Sequence, residues 1–202
     1  MIKEKVLILG SSGFIGSNFV KIFNRNLIIK KKFRLICSHD TKKKKKFNFF
    51  SKTSLNKFIN IYNPRYVFNF TGQISNNKLY QYNTVLANYN LIKICNKKKI
   101  KILLASSDHV YDNGLKINYS YSSTNPSSNY GKFKKKIEDM YFTLSNDYKI
   151  LRISNIYDYK LEKNGLLKNL KISYKKKKKF VFQNGKVSRN FIHLDDVLRI
   201  LF

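Results

Sequence analysis

Val6-Leu7-Ile8-Leu9 runs directly into Gly10-Ser11-Ser12-Gly13-Phe14-Ile15-Gly16, and this junction restricts the architectures open to the chain more than any other feature. The four apolar residues read as a buried strand. Phe14, Phe19, Ile22 and Phe23 then recur at helical spacing. Glycines between a strand and a helix allow a tight turn, close approach of the backbone to a pyrophosphate, and close packing of the helix on the sheet. The helix start presents free N–H groups and a positive dipole end to phosphate oxygens. A glycine turn alone is a common structural device. Strand, glycines and helix in that order predict a dinucleotide site, with Gly10, Ser12, Gly13, Phe14, Ile15 and Gly16 against the cofactor.

Further along, apolar runs and helical periodicity alternate. Strands are expected near Lys5 to Leu9, Phe33 to Cys37, Tyr66 to Phe70, Ile100 to Ser106 and Tyr148 to Ile153, with a weaker one near Asn48. Helices are expected near Gly13 to Phe23, Ser54 to Tyr62, Tyr80 to Asn96 and Tyr130 to Ser145. This alternation predicts an α/β fold with a doubly wound parallel sheet. After Gly165, Leu166 to Lys175 and Phe180 to Phe182 begin a second region.

Tyr130 and Lys134 lie four residues apart where a helix begins, so both address one ligand. An unperturbed phenol has a pKa of about 10, and a base near neutrality needs a shift of ~3 units, or ~4 kcal/mol of preference for the phenolate. A Lys cation and a cationic cofactor ring supply such a preference. In so Lys-rich a chain the pair alone reads as a packed ring and a solvated amine; its company argues otherwise. Ile102-Leu103-Leu104-Ala105 runs as a buried strand into Ser106-Ser107-Asp108-His109-Val110-Tyr111. Ligands of open α/β sheets sit outside the carboxyl ends of the strands, which brings Ser107 to the crevice of the glycine turn. Ser107 there hydrogen-bonds a substrate oxygen while Tyr130 moves its proton.

With these residues the chain resembles the extended short-chain dehydrogenase/reductases, specifically the NAD-dependent epimerase/dehydratase family acting on nucleotide sugars. The resemblance runs from Lys5 to about Val197. It includes Pro64-Arg65-Tyr66-Val67-Phe68-Asn69-Phe70-Thr71-Gly72, Ser107-Asp108-His109-Val110-Tyr111, and Asn125 to Lys134 with Glu138 four further on. Leu151 to Tyr157 and Arg189 to Val197 look like the substrate-side motifs. The resemblance implies a Rossmann-like fold, with the NAD(P)-binding domain over 1–160 and a substrate-binding region beginning at 161–202. It implies that Ser107 holds the sugar oxygen, that Tyr130 is the acid/base, and that Lys134 binds the nicotinamide ribose and depresses the Tyr130 pKa. Thr71 and Gly72 would contact the cofactor, and Asn155 and Arg189 the nucleotide diphosphate, where a guanidinium suits phosphate geometry. For Asn155 a turn role stays equally open.

Departures from the family pattern leave alternatives. Asp40 stands near the acid that accepts hydrogen bonds from the adenosine ribose, which favours NAD; Ser38 with Lys42 to Lys46 instead suits the 2′-phosphate of NADP. Phe133 replaces a smaller residue. Asp108 resembles an acid of the dehydratase and keto-sugar reductase branches, while His109 takes a place where dehydratases carry Glu; an imidazole titrates near neutrality. Val110-Tyr111-Asp112-Asn113-Gly114 looks like the reductase branch and Arg189 to Val197 like the epimerase/dehydratase branch. Epimerase/dehydratase and 4-keto-sugar nucleotide reductase therefore both stay open. Family members continue for on the order of a hundred residues past Val197, so a mostly missing substrate part and a catalytically weak remnant form a further expectation.

The net charge of +30 invites a nucleic-acid reading, since Lys neutralises phosphate and releases counterions. Yet Trp is absent and Lys, Asn, Ile, Phe and Tyr crowd the chain, all residues with codons rich in adenine and thymine. Base composition accounts for the lysines as well as a polyanion partner does, and the runs fall between expected elements. Nucleic-acid binding stays a minor alternative, and a homodimer is open. Cys37 and Cys95 sit among apolar neighbours, as core thiols of a cytoplasmic protein do, rather than in a disulfide. No cluster has metal-ligand spacing, and no apolar stretch approaches the roughly 20 residues of a membrane span.

Overall fold

The computed structural model describes residues 3–39, 47–72, 75, 77–111, 117–158, 166–181 and 189–201. They belong to two compact units, Met1–Arg152 and Ile153–Phe202. The larger holds strands β1 (Glu4–Leu9), β2 (Phe33–Cys37), β3 (Tyr66–Asn69), β4 (Lys101–Ser107) and β5 (Tyr148–Ile153) in the order β2-β1-β3-β4-β5. β1 pairs in parallel with both β2 and β3, and β3 with β4. The chain order thus reverses at β1, and the crevice outside the carboxyl ends of β1 and β3 is the switch point of a doubly wound sheet.

Both faces of the sheet are covered, which is why β1 reads as unbroken apolar sequence rather than alternation. Ile36, Leu7, Val67 and Ile102 lie in one row across β2, β1, β3 and β4. That row belongs to the main core, with Leu55 and Ile59 from α3 (Lys52–Tyr62), Leu91, Ile92 and Cys95 from α4 (Lys78–Lys98), and Ile137 and Tyr141 from α5 (Asn129–Leu144). On the opposite face Ile8 pairs with Phe68. Phe19 of α1 (Phe14–Arg25) packs against it, ring centroids 5.5 Å apart.

Asn69, Asn88 and Tyr141 satisfy one another in this core. The Asn69 amide donates to Asn88 Oδ1 (2.8 Å) and Tyr141 Oη (3.3 Å), and the Tyr141 hydroxyl donates to Asn88 Oδ1 (3.1 Å). This joins the end of β3 to α4 and α5. An unpaired member would carry the full cost of desolvation.

Two features depart from the sequence expectations. The strand expected near Asn48 does not form among the described residues: the Asn48 N–H donates to Ser54 Oγ (3.0 Å) and its side chain accepts from the Phe50 N–H (2.9 Å). Such side chain to backbone bonds compete with a ladder and make a turn into α3. A short helix α2 (Leu27–Lys32) was not anticipated; the Asn26 side chain caps it by accepting from the Ile29 N–H (3.1 Å).

The smaller unit pairs β6 (Asn155–Tyr157) in parallel with β7 (Phe191–His193). It also contains α6 (Leu166–Lys175) and α7 (Leu194–Ile200), which buries Leu194, Val197 and Leu198. Among the described residues no helix is long and apolar enough to cross a membrane.

Burial sets how the fold responds to alkali. The Cys95 thiol is pushed up to about 12 from 9.0, so its contribution to stability is complete below pH 9 and is lost as pH rises toward 12. Burial raises Tyr130 and Tyr141 from 10.0 and adds losses in the same direction above that pH. Lys134, lowered from 10.5 to about 8, has the opposite sign and gains stability between those limits. Urea midpoints should therefore fall from about pH 10.5 upward, with a shallower decline in Cys95→Ala.

Candidate dinucleotide and proton-transfer site

Gly10 ends β1 at φ +74°, a left-handed conformation that favours glycine. A Cβ there would lie 2.9 Å from both the carbonyl carbon and oxygen of Phe70, so the turn is pressed against the end of β3. A Cβ on Gly16 would fall on the Gly10 carbonyl, so α1 starts as close to the turn as a backbone can. The Gly13 N–H closes the turn onto the Gly10 carbonyl at 2.9 Å.

The start of α1 differs from those of α2, α3, α4, α5 and α7. Asn26, Ser51, Asn77, Ser128 and His193 cap α2, α3, α4, α5 and α7 with side-chain acceptors. Gly13 offers none to α1, and its first turn carries no acidic residue. Ser12 and Gly13 are exposed, with Phe14 and Ile15 half-buried. An uncapped N-terminus with free N–H groups fits a pyrophosphate. Ser11 Oγ accepts from the His39 N–H (3.0 Å) and lies 3.4 Å from Ser38 Oγ, fixing the end of β2 beside the turn. Asp40 and Lys42 to Lys46 lie outside the described residues.

Across the crevice, Asn69 Oδ1 accepts from both the N–H (3.1 Å) and the hydroxyl (2.6 Å) of Thr71. Gly72 follows at φ +99°, where a Cβ would be 3.1 Å from Lys134 Nζ. The Lys134 ammonium, 4% exposed, donates to the Ala105 carbonyl at 3.0 Å and lies 5.9 Å from the Tyr130 ring centroid. Ser107 lies near the Tyr130 phenol and favours its ionised form. Ser107 Oγ donates to Asp108 Oδ1 (3.3 Å) and accepts from the His109 N–H (3.3 Å). The structure therefore brings Ser107, Asp108, Tyr130 and Lys134 together, with Thr71 and Gly72 beside them.

Gly131 makes this approach possible. A Cβ on Gly131 would strike the His109 carbonyl and come within 2.7 Å of Pro126, so α5 docks on the 3-10 turn Asp108–Val110 through a bare glycine. His109 then meets the Tyr130 ring edge-on, centroids 5.7 Å apart. Phe133 is buried and contributes to the main core.

The electrostatics correct one expectation. Tyr130 is pushed up to about 12 rather than down: burial disfavours the phenolate most, the nearby Ser107 side chain opposes this, and Asp108 and Tyr80 add to the rise. Burial drives Lys134 down to about 8 against the pull of Glu138. With its ammonium directed to the Ala105 carbonyl and Asp108 near the phenol, Lys134 does not lower Tyr130 in the chain by itself.

The sequence reading passed over a cluster behind the pair. The Arg152 guanidinium holds Glu138 through Nε (3.1 Å) and Nη2 (2.8 Å), and Nη1 reaches Tyr111 Oη (2.8 Å) and the Ser120 carbonyl (3.0 Å). In the sequence Tyr111, Glu138 and Arg152 fall in three separate motifs, and nothing in their spacing joins them. Asn155 and Arg189 belong to the smaller unit, where the Asn155 amide donates to the Asn190 carbonyl (3.0 Å) and Arg189 is exposed. Among the described residues no group of His, Cys, Asp or Glu is set to hold a metal ion.

Solved structures share this fold. A dTDP-glucose 4,6-dehydratase from Bacillus anthracis in complex with NAD has a TM-score of 0.80 at 19% identity, over 98% of this chain and 70% of that one. The ADP-L-glycero-D-manno-heptose-6-epimerase of Helicobacter pylori gives 0.78 at 23%, over 98% and 71%. A dTDP-4-dehydrorhamnose reductase from Clostridium acetobutylicum gives 0.77 at 22%, over 98% and 68%. Nothing matches among curated protein sequences. The model of the NAD dependent epimerase/dehydratase family matches residues 6–202, and the chain, with its glycine turn and its Ser107, Tyr130 and Lys134 cluster, belongs to that family.

Proposed function

We propose that the chain is an NAD(P)-dependent enzyme acting on a nucleotide sugar, as an epimerase or dehydratase. The observation that carries this reading is the placing of an uncapped glycine turn at the carboxyl end of β1 and of Ser107 at that of β4, on either side of β3, with Tyr130 and Lys134 of α5 beside Ser107. In this reading residues to 160 take the dinucleotide and residues 161–202 begin the substrate side. Bound NAD(P) supplies the hydride acceptor or donor. Ser107 holds the reacting sugar oxygen, Asp108 orients the Ser107 hydroxyl, and Tyr130 gives or takes the proton on that oxygen. Lys134 binds the nicotinamide ribose, and the Gly10 to Gly16 turn takes the pyrophosphate. Asn155 and Arg189 serve the sugar-nucleotide diphosphate, the latter through paired N–H donors.

A second reading, an NAD(P)H-dependent 4-keto-sugar nucleotide reductase, is favoured by the Tyr130 phenol. At about 12 it holds its proton at neutral pH, the state an acid needs when a carbonyl is reduced. Calorimetric titration with NAD, NADH, NADP and NADPH tests the shared claim. At least one should bind, and silence from all four would defeat it. A nucleotide-sugar panel assayed for epimerisation, dehydration and keto reduction separates the two readings. Ser107→Ala should lower turnover less than removal of the Tyr130 hydroxyl, because it removes a hydrogen bond and leaves the proton carrier.

A further inference from the structure

Glu138 stands one helical turn beyond Lys134 on α5, with its side chain 1% exposed, and Arg152 on β5 grips it with a side chain 13% exposed. The same guanidinium bonds the Tyr111 hydroxyl, immediately after the turn that carries Ser107, and lies 4.7 Å from that ring's centroid. It also holds the Ser120 carbonyl. One side chain thereby ties the helix of Lys134 to the turn of Ser107. We propose that Glu138 and Arg152 form a clamp that positions Lys134 and the Ser107 turn for the dinucleotide, a role that rests on the functional reading above.

Packing alone does not require this pair. Apolar residues of the same volume commonly serve stability as well as a buried ion pair or better. Lys134 does need an anion: its ammonium is buried, and its hydrogen bond runs to a neutral backbone carbonyl. The surrounding groups are few. α5 contributes Tyr130 and Glu138; the 3-10 turn contributes Asp108 and His109, and α4 contributes Tyr80, all against the Tyr130 side. Ala105 of β4 and Gly72, which lie against the ammonium, offer no charge. Glu138 is the charge that favours protonated Lys134, and Arg152 holds that carboxylate in place. Glu138 and Arg152 are thus positioning residues acting through Lys134 and Tyr111.

The test follows the Lys134 side-chain carbon next to the amine by NMR across pH, assigned by its loss in Lys134→Met. Wild type should titrate near pH 8. Glu138→Gln should move the midpoint to lower pH and Glu138→Asp return it toward wild type. At neutral pH, affinity for the dinucleotide that wild type binds should fall severalfold in Glu138→Gln and recover in Glu138→Asp. An unmoved midpoint in folded Glu138→Gln overturns the clamp even if affinity drops, because that pattern marks a merely structural pair. If Glu138→Gln does not fold, Tyr111→Phe and Arg152→Lys carry the test: weakened binding at an intact melting transition supports the clamp, and wild-type affinity overturns it. A wild type that binds none of the four dinucleotides defeats the proposed function and leaves the titration to decide the clamp.

Discussion

Tyr130→Phe should lower turnover by about 10²–10⁴-fold, the usual worth of a placed acid or base, while dinucleotide affinity stays unchanged. The reasoning separates the ring from its hydroxyl. The ring packs against the core and meets His109 edge-on, and phenylalanine keeps those contacts. The hydroxyl is the group that faces Ser107, at the place where a sugar oxygen would exchange its proton. Parallel measurement of kcat and of dinucleotide Kd checks the split. Wild-type turnover in the variant would remove Tyr130 from the acid/base role.

Gly10→Val should abolish dinucleotide binding at accessible concentrations and destabilise the fold by about 1–3 kcal/mol, the cost of a residue held in a sparsely populated backbone region. Two independent constraints coincide there. The backbone sits at φ +74°, a genuine outlier for a β-branched residue. The new Cβ would also sit 2.9 Å from backbone atoms of Phe70, which cannot swing aside as a side chain would. Relief requires β1 and β3 to part at the crevice itself. Gly13→Ala provides the contrast, because its Cβ would meet only the Gly10 carbonyl at 3.2 Å. Its affinity should fall far less. Denaturant midpoints and calorimetry on the two variants separate the effects, and equal losses in both would show that the turn tolerates no side chain for a reason other than this contact.

Periodicity exposed most of the larger unit. Unbroken apolar runs such as Val6 to Leu9 marked strands covered on both faces, and the recurrence of Phe14, Phe19, Ile22 and Phe23 marked α1, because local pattern and tertiary burial agree there. Turn chemistry was harder to read. Around Asn48 a weaker strand is the sequence expectation, but bonds with Phe50 and Ser54 determine the backbone, and α2 is too short for its period to show. The neighbours of Tyr130 were legible because its motif is compact. Its proton affinity was not, since burial is a property of the assembled fold. The bonds of Arg152 to Glu138 and Tyr111 were invisible for a related reason: partners 14 and 41 residues apart leave no local spacing to detect, although each residue lies in a motif of its own.

The Asn69, Asn88 and Tyr141 bonds carry a consequence for synthesis. Asn69 orients Thr71 at the far wall of the crevice, yet it bonds a tyrosine 72 residues later in the chain. The glycine turn leaves the ribosome early, and α5 follows on the order of 10 s behind it at ordinary translation rates. During that interval β1, β2 and α1 can pair locally, but the asparagine that shapes the opposite wall lacks its Tyr141 partner. The growing polypeptide thus gains its glycine turn well before it gains a finished cleft, and under the proposed function emergence of α5 is the event that would let a nascent chain retain a dinucleotide.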